Sequence, residues 1–139
     1  MRSRWETFEH DADVGLIVHG HDGPELFANA GVALFDLVCE LERVEERARY
    51  PLAGEADDVE TLLVEWLNEL VYLFEGERVV CRRFVFPLWS ETRFRADAFG
   101  EPADPKRHEP RDLVKAATYH GLSVARLTDG YEARVILDV

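Results

Sequence analysis

With 139 residues, 47% hydrophobic and 32% charged, the chain has the composition of an ordinary globular protein and enough apolar surface for a core. No apolar run is long enough to span a bilayer, and no apolar segment follows the basic residues near Met1, so neither a membrane span nor a signal peptide is expected and the cytoplasm is the default compartment. Sixteen Lys and Arg against 28 Asp and Glu give a net charge of -12, which argues against a broad nucleic-acid face, because such faces rest on cationic contacts to phosphate.

In chain order, residues 5–9 read as a short strand, and the tight stretch His10-Asp11-Ala12-Asp13 leads into a second strand over 14–19, rich in branched aliphatics. Gly20-His21-Asp22-Gly23 is a turn, with Asp22 as N-cap and Pro24 in the first turn of a helix over 24–38. Gly31 inside that helix costs about 1 kcal/mol against Ala unless close packing requires it. Residues 47–52 can form a strand, with Pro51 pointing to a sheet edge or a strand end. The strongest periodicity follows over 58–75, where Val59, Leu62, Leu63, Trp66, Leu67, Leu70, Val71 and Phe74 share one helical face. Asp57 or Asp58 caps it, Asp57 with Glu60 has the form of a capping box, and Gly76 is placed for a left-handed C-cap. Val64 and Leu73 extend the apolar surface, so this helix is expected to be covered on more than one side.

Beyond Gly76 the pattern turns to strands. Residues 78–88 are β-rich, 92–99 alternate Phe94, Ala96 and Ala98 against Arg93, Arg95 and Asp97, and Trp89-Ser90-Glu91 makes the hairpin between them. The proline-bearing stretch 101–111 reads as a surface loop. Two further strands are read over 113–120 and 122–127, then a tight hairpin on Asp129-Gly130 and a last strand over 131–137. The expectation is an α+β fold of one domain, 1–139, with two helices packed on a largely antiparallel or mixed sheet. Cys39 and Cys81 lie far apart in apolar surroundings and read as buried, reduced thiols, with a disulfide or redox switch as the alternative.

Three stretches concentrate ionisable groups. Glu9-His10-Asp11-Ala12-Asp13 compresses carboxylates and an imidazole between strands, which suits a hard cation such as Ca²⁺ or Mg²⁺ as well as an Asx-turn. Asp138 and Val139 bring a side-chain carboxylate and terminal oxygens together, which suits a solvated acid as well as an oxygen site, the latter if Asp13 converges on them. The third stretch carries Arg107 and His108 and is followed by Lys115 and His120; it suits either a binding loop or a solvated crossover, and His120 either a ligand or base or a structural role. No phosphate-binding glycine loop, nucleophile elbow, Cys-x-x-Cys or His-Glu-x-x-His is present.

Taken together, Glu9-His10-Asp11-Ala12-Asp13-Val14-Gly15, Leu63-Val64-Glu65-Trp66-Leu67-Asn68-Glu69-Leu70, Gly100-Glu101 with Arg107-His108-Glu109-Pro110, Val114-Lys115-Ala116-Ala117-Thr118-Tyr119-His120 and Leu137-Asp138-Val139 resemble the archease family in order and spacing. The resemblance implies a small α+β protein that binds a divalent cation and assists the GTP-dependent RtcB-type tRNA-splicing ligase. In that role it promotes ligase guanylylation and repeated turnover without joining RNA itself. Calcium is the ion expected, with magnesium or manganese as alternatives. Asp13, Asp138 and Val139 would hold it, and His10, Asp11, Arg107, His108, Lys115 and His120 would assist the ion or contact the partner. Asp11 stands where the family usually carries Thr or Ser, which leaves its role between ligand and turn cap. The partner contact would be transient, with no strong direct nucleic-acid binding and no membrane. Two other readings stand beside it: a metal-dependent phosphoester or nucleotide hydrolase using the same carboxylates with His108 or His120 as base, and a chaperone-like interaction module that works without metal through an apolar patch.

Overall fold

The computed structural model describes residues 4–10, 13–109, 111 and 114–139, with the side chains of Glu9 and His10 outside that description. The long periodic stretch folds as helix α2, Val59–Glu77, whose N-cap carboxylate is that of Asp58, accepting the Thr61 N–H at 2.8 Å. Its stripe is buried from Leu62 to Val71, with Val59 and Phe74 at its ends half-buried, and Val64 and Leu73 off the stripe are buried too. Trp66 is the centre of this burial: its ring meets Phe84, Phe86 and Phe94, and its indole N–H donates to the Phe27 carbonyl at 2.8 Å. A buried indole would otherwise leave a donor unsatisfied.

The left-handed cap falls on Arg78 (φ 57, ψ 50) instead of Gly76, and α2 runs on through the glycine. The Arg78 N–H bonds the Leu73 and Phe74 carbonyls, and its own carbonyl accepts from Ala103 at 2.7 Å. Where the chain must enter the next strand thus decides the cap, at a conformational cost of about 1 kcal/mol for a residue other than glycine.

Helix α1, Gly23–Val38, starts as read from sequence, with Asp22 accepting the Glu25 N–H at 2.8 Å. A Cβ on Gly31 would stand 2.9 Å from the Phe84 ring, so close packing explains the glycine. A 3₁₀ turn, Leu41–Arg43, follows.

The strands are β1 (Trp5–His10), β2 (Asp13–Gly20), β3 (Ala48–Glu55), β4 (Val79–Trp89), β5 (Arg93–Pro102), β6 (Ala116–Leu127) and β7 (Gly130–Asp138). They divide into two sheets, one ordered β1-β2-β7-β6 and one ordered β3-β5-β4, and every pairing is antiparallel. Helix α1 packs on β2 and β4, and α2 packs on β6, β3 and β4. The α+β class holds, with the helices as a middle layer between two sheets. Helices apolar over so much of their circumference need cover from two sides, and a second sheet supplies it.

Two other readings change. The two strands expected over 113–127 are one strand, β6, interrupted by a bulge between Thr118 and Ser123, where Gly121 takes φ 64. The surface loop expected over 101–111 begins inside β5 and contains a helical turn, α3 (Pro105–His108). Its residues Glu101 and His108 are each only 2% exposed. Cys39 and Cys81 are buried and unpaired, and burial pushes the first thiol up to about 11 and the second to about 12. Among the described residues no helix is long and apolar enough to cross a membrane.

Candidate functional site: a carboxylate rim

One end of the four-stranded sheet gathers residues that are far apart in sequence. Asp13 opens β2 opposite His10 of β1, and Asp138 closes β7 opposite Ala116 of β6. The β2–β7 register ends at Val14 opposite Leu137. One step further along that register sets Asp13 across from Asp138. The two carboxylates also share a face. Leu16 and Val18 of β2, with Ala133, Val135 and Leu137 of β7, point to the core. Alternation therefore sends Asp13 and Asp138 to the outer face. Asp138 is exposed and Asp13 half-buried. Among the described residues neither carboxylate has a side-chain donor.

Backbone bonds hold this rim in place. The Asp138 carbonyl accepts the Lys115 N–H at 2.7 Å, which ties β7 to the entry of β6. Asn68 of α2 clamps the next residue but one: its Oδ1 accepts the Ala117 N–H at 2.8 Å and its Nδ2 faces the Ala117 carbonyl at 3.4 Å. Asn68 was not singled out from sequence, although a primary amide amid an apolar helical stretch was the available signal. Lys115 is exposed beside Asp138, so a cationic side chain stands at the same rim. Asp11 and the His10 side chain lie outside the described residues, and among the described residues no three His, Cys, Asp or Glu side chains gather to hold an ion.

The donor chemistry fits a hard cation. Two facing carboxylates and the carbonyl oxygen of Val139, which follows Asp138, are oxygen ligands of the kind Ca²⁺ and Mg²⁺ take, and among the described residues no thiolate is near to favour a softer metal. A bound cation would offset the repulsion between the two carboxylates and offer a Lewis-acidic charge at an exposed strand end.

Arg107 and His108 build a different cluster. Glu101, at the end of β5, receives Arg107 Nη2, His108 Nε2 at 2.9 Å and the Glu45 N–H at 2.7 Å. His108 Nδ1 accepts the Asp104 N–H at 2.8 Å, so it bears no proton and Nε2–H is the donor to Glu101. Burial would raise the Glu101 carboxyl, but the bonds from Arg107, Glu45 and His108 outweigh it and bring it down to about 2. The His108 carbonyl in turn accepts the Glu40 N–H at 2.7 Å. With both ring nitrogens engaged and the ring buried, His108 fixes α3 against β5 and the 3₁₀ turn, and offers no surface to a metal or partner. Arg107 is partly exposed and shares Glu101 with it. His120 lies in the bulged part of β6 and is exposed. The structure thus groups Asp13, Asp138, Val139 and Lys115, and sets Arg107 and His108 apart in the Glu101 cluster.

A middle helical layer between two antiparallel sheets, with an oxygen-rich rim at one sheet end, defines the class of protein. The archease protein family (MTH1598/TM1083) matches over residues 5–139. The protein archease of Pyrococcus furiosus is 35% identical over 98% of this chain and 99% of its own length, and that of Methanosarcina mazei 33% identical over 98% and 96%. Among solved structures, protein 1598 of Methanobacterium thermoautotrophicum is 30% identical with a TM-score of 0.76, covering 98% of this chain and 99% of its own. An archease from Thermotoga maritima, described as a possible chaperone, shares the fold with a TM-score of 0.65 at 18% identity, covering 100% and 98%. The chain belongs to the archease family.

Proposed function

We propose that this protein is a non-catalytic activator of a GTP-dependent RtcB-type RNA ligase, acting in tRNA splicing by promoting ligase guanylylation and multiple turnover through a divalent cation held at the rim. The observation that carries this reading is the facing pair Asp13 and Asp138 on an exposed strand end, in a chain of the archease family. Calcium, or magnesium or manganese, would be held by Asp13, Asp138 and Val139, with Lys115 beside them to meet an anionic group. The ion would supply positive charge for the phosphate-rich intermediate of the ligase. This chain's residues bind and aim that charge, and the rim's exposure lets the activator dock and leave between turnovers.

The test is multiple-turnover ligation by the ligase with GTP and divalent metal, with and without this chain. A rise in turnover that Asp13→Asn abolishes, with no ligation by the chain alone, supports the activator. No change in turnover from folded wild-type chain overturns it. The hydrolase alternative loses one of its two candidate bases, because both His108 nitrogens are engaged. The chaperone alternative draws on the description of the Thermotoga maritima relative. It requires suppression of client aggregation by metal-free protein, and this the activator reading does not expect.

A further inference from the structure

The outer face of the three-stranded sheet has a composition unlike the rest of the chain. The register sets Arg49, Pro51, Ala53 and Glu55 of β3, Arg93, Arg95, Asp97 and Phe99 of β5, and Arg83, Val85 and Leu88 of β4 on the side away from the helices. The inward set is the core: Phe84, Phe94, Ala96 and Ala98 are buried. Outside, Val85 is 42% and Leu88 36% exposed, and Pro51, Ala53 and Pro87 are exposed with them. A shallow groove of about 500 Å³ runs through this face between Arg49, Pro51, Ala53, Pro87 and Arg95.

Charge on this face is inverted relative to the molecule. In a chain of net charge -12, four arginines (Arg49, Arg83, Arg93, Arg95) stand here against Glu55 and Asp97, with Glu46, before β3, reaching Arg83 at 2.6 Å. Arg49 reaches Asp97 at 3.1 Å and Arg93 reaches Glu55 at 3.7 Å. Arg83 lies over the Phe99 ring at 4.0 Å, while Arg95 has no carboxylate partner among the described residues. An aliphatic centre rimmed by arginine is the composition of a protein interface. Single-stranded nucleic acid would look for open aromatic platforms, and Phe99, the aromatic ring of the outward set, is covered by Arg83. The sheet's edges are poor docking points. Pro51 interrupts edge strand β3, and edge strand β4 carries Pro87 and two register shifts. A second copy meeting this face isologously would set arginine against arginine.

We infer that this face docks a protein partner presenting an apolar patch rimmed by carboxylates, and that under the activator reading, on which this inference rests, the partner is the RNA ligase. The face would then set affinity and encounter rate, separately from the rim that holds the cation.

Binding of the purified RtcB-type ligase to this chain, followed by calorimetry at several salt concentrations, tests it. Four forms are compared: wild type, Arg49→Glu with Arg95→Glu, Val85→Asp, and Arg126→Glu as a charge-reversal control on the other sheet. Thermal melts confirm that all are folded, since every substituted side chain is exposed. The expected result is at least a tenfold loss of affinity, roughly 1.4 kcal/mol, for the two face variants, with the control near wild type and wild-type affinity falling as salt rises. Unchanged binding by both face variants, alongside tight wild-type binding, overturns the docking face and leaves the activator standing. A wild-type chain that neither binds nor stimulates the ligase removes both. Retention of single-stranded RNA by the wild type, lost with the arginine reversal, overturns the protein partner in favour of RNA.

Discussion

Glu101 and Asp138 are both carboxylates in stretches that looked functional, and their surroundings differ in every respect that matters. Glu101 is buried beneath Arg107 and His108 with a backbone N–H on the same group, and its charge is held by donors. Asp138 is exposed, faces another carboxylate across the sheet, and has no side-chain donor among the described residues. A carboxylate already holding several donors contributes to the fold and has little left for an ion. Two facing carboxylates without donors repel each other and favour whatever cation relieves them. The same functional group is structural in one place and, under the proposed reading, open to a cation in the other, and the difference lies in the donors around it.

Replacing each carboxylate by its amide is the most direct way to break this comparison. Glu101→Gln removes the carboxylate that Arg107 meets most closely, leaving it Glu45 at 4.0 Å, and is expected to lose about 3 kcal/mol of stability, read by chemical denaturation. Because the folded Glu101 carboxyl lies at about 2, below its ordinary 4.5, its contribution is complete above pH 4.5 and disappears as pH falls towards 2. The wild type should therefore lose about 3 kcal/mol across that window relative to Glu101→Gln, in urea titrations at stepped pH.

Asp13→Asn should behave in the opposite sense. Without metal it should be as stable as wild type or slightly more so, since one like-charge contact is gone. With calcium at 100 times its dissociation constant the wild type should gain about 2.7 kcal/mol and the variant almost none, in melts with and without chelator. The comparison is overturned if the two amide substitutions act alike. A smaller effect sharpens it. Asn68→Ala removes the clamp on Ala117 and should cost about 1–2 kcal/mol while weakening calcium binding, although Asn68 is not a ligand. A stability loss with no change in calcium affinity would show that the clamp does not position the rim.

Local pattern carried much of this structure. The α1 cap at Asp22, the stripe of α2, the alternation of β5 and the Asp129-Gly130 hairpin are local in physics, so they were legible. The left-handed residue at Arg78, the bulge that joins the two expected strands into β6, and the division into two sheets depend on contacts distant in sequence. At the rim, residue types and family spacing pointed to Asp13, Asp138 and Lys115, but only the register puts them at one sheet end. His108 was misplaced for a related reason. A basic residue between prolines looks like surface until Glu101, seven positions earlier, is seen to accept its proton donor.

The two thiols make the interior into a clock. Thiolate is the species that reacts with alkylating reagents, and both Cys39, at the end of α1, and Cys81, in β4, are buried with their ionisation pushed far above neutrality. Their labelling must therefore wait for the chain to open. The two labelling rates, read by mass spectrometry, would time separately the loosening of the helical layer and of the three-stranded sheet. A partner that grips the arginine-rimmed face would slow the Cys81 clock and leave that of Cys39 closer to its own pace.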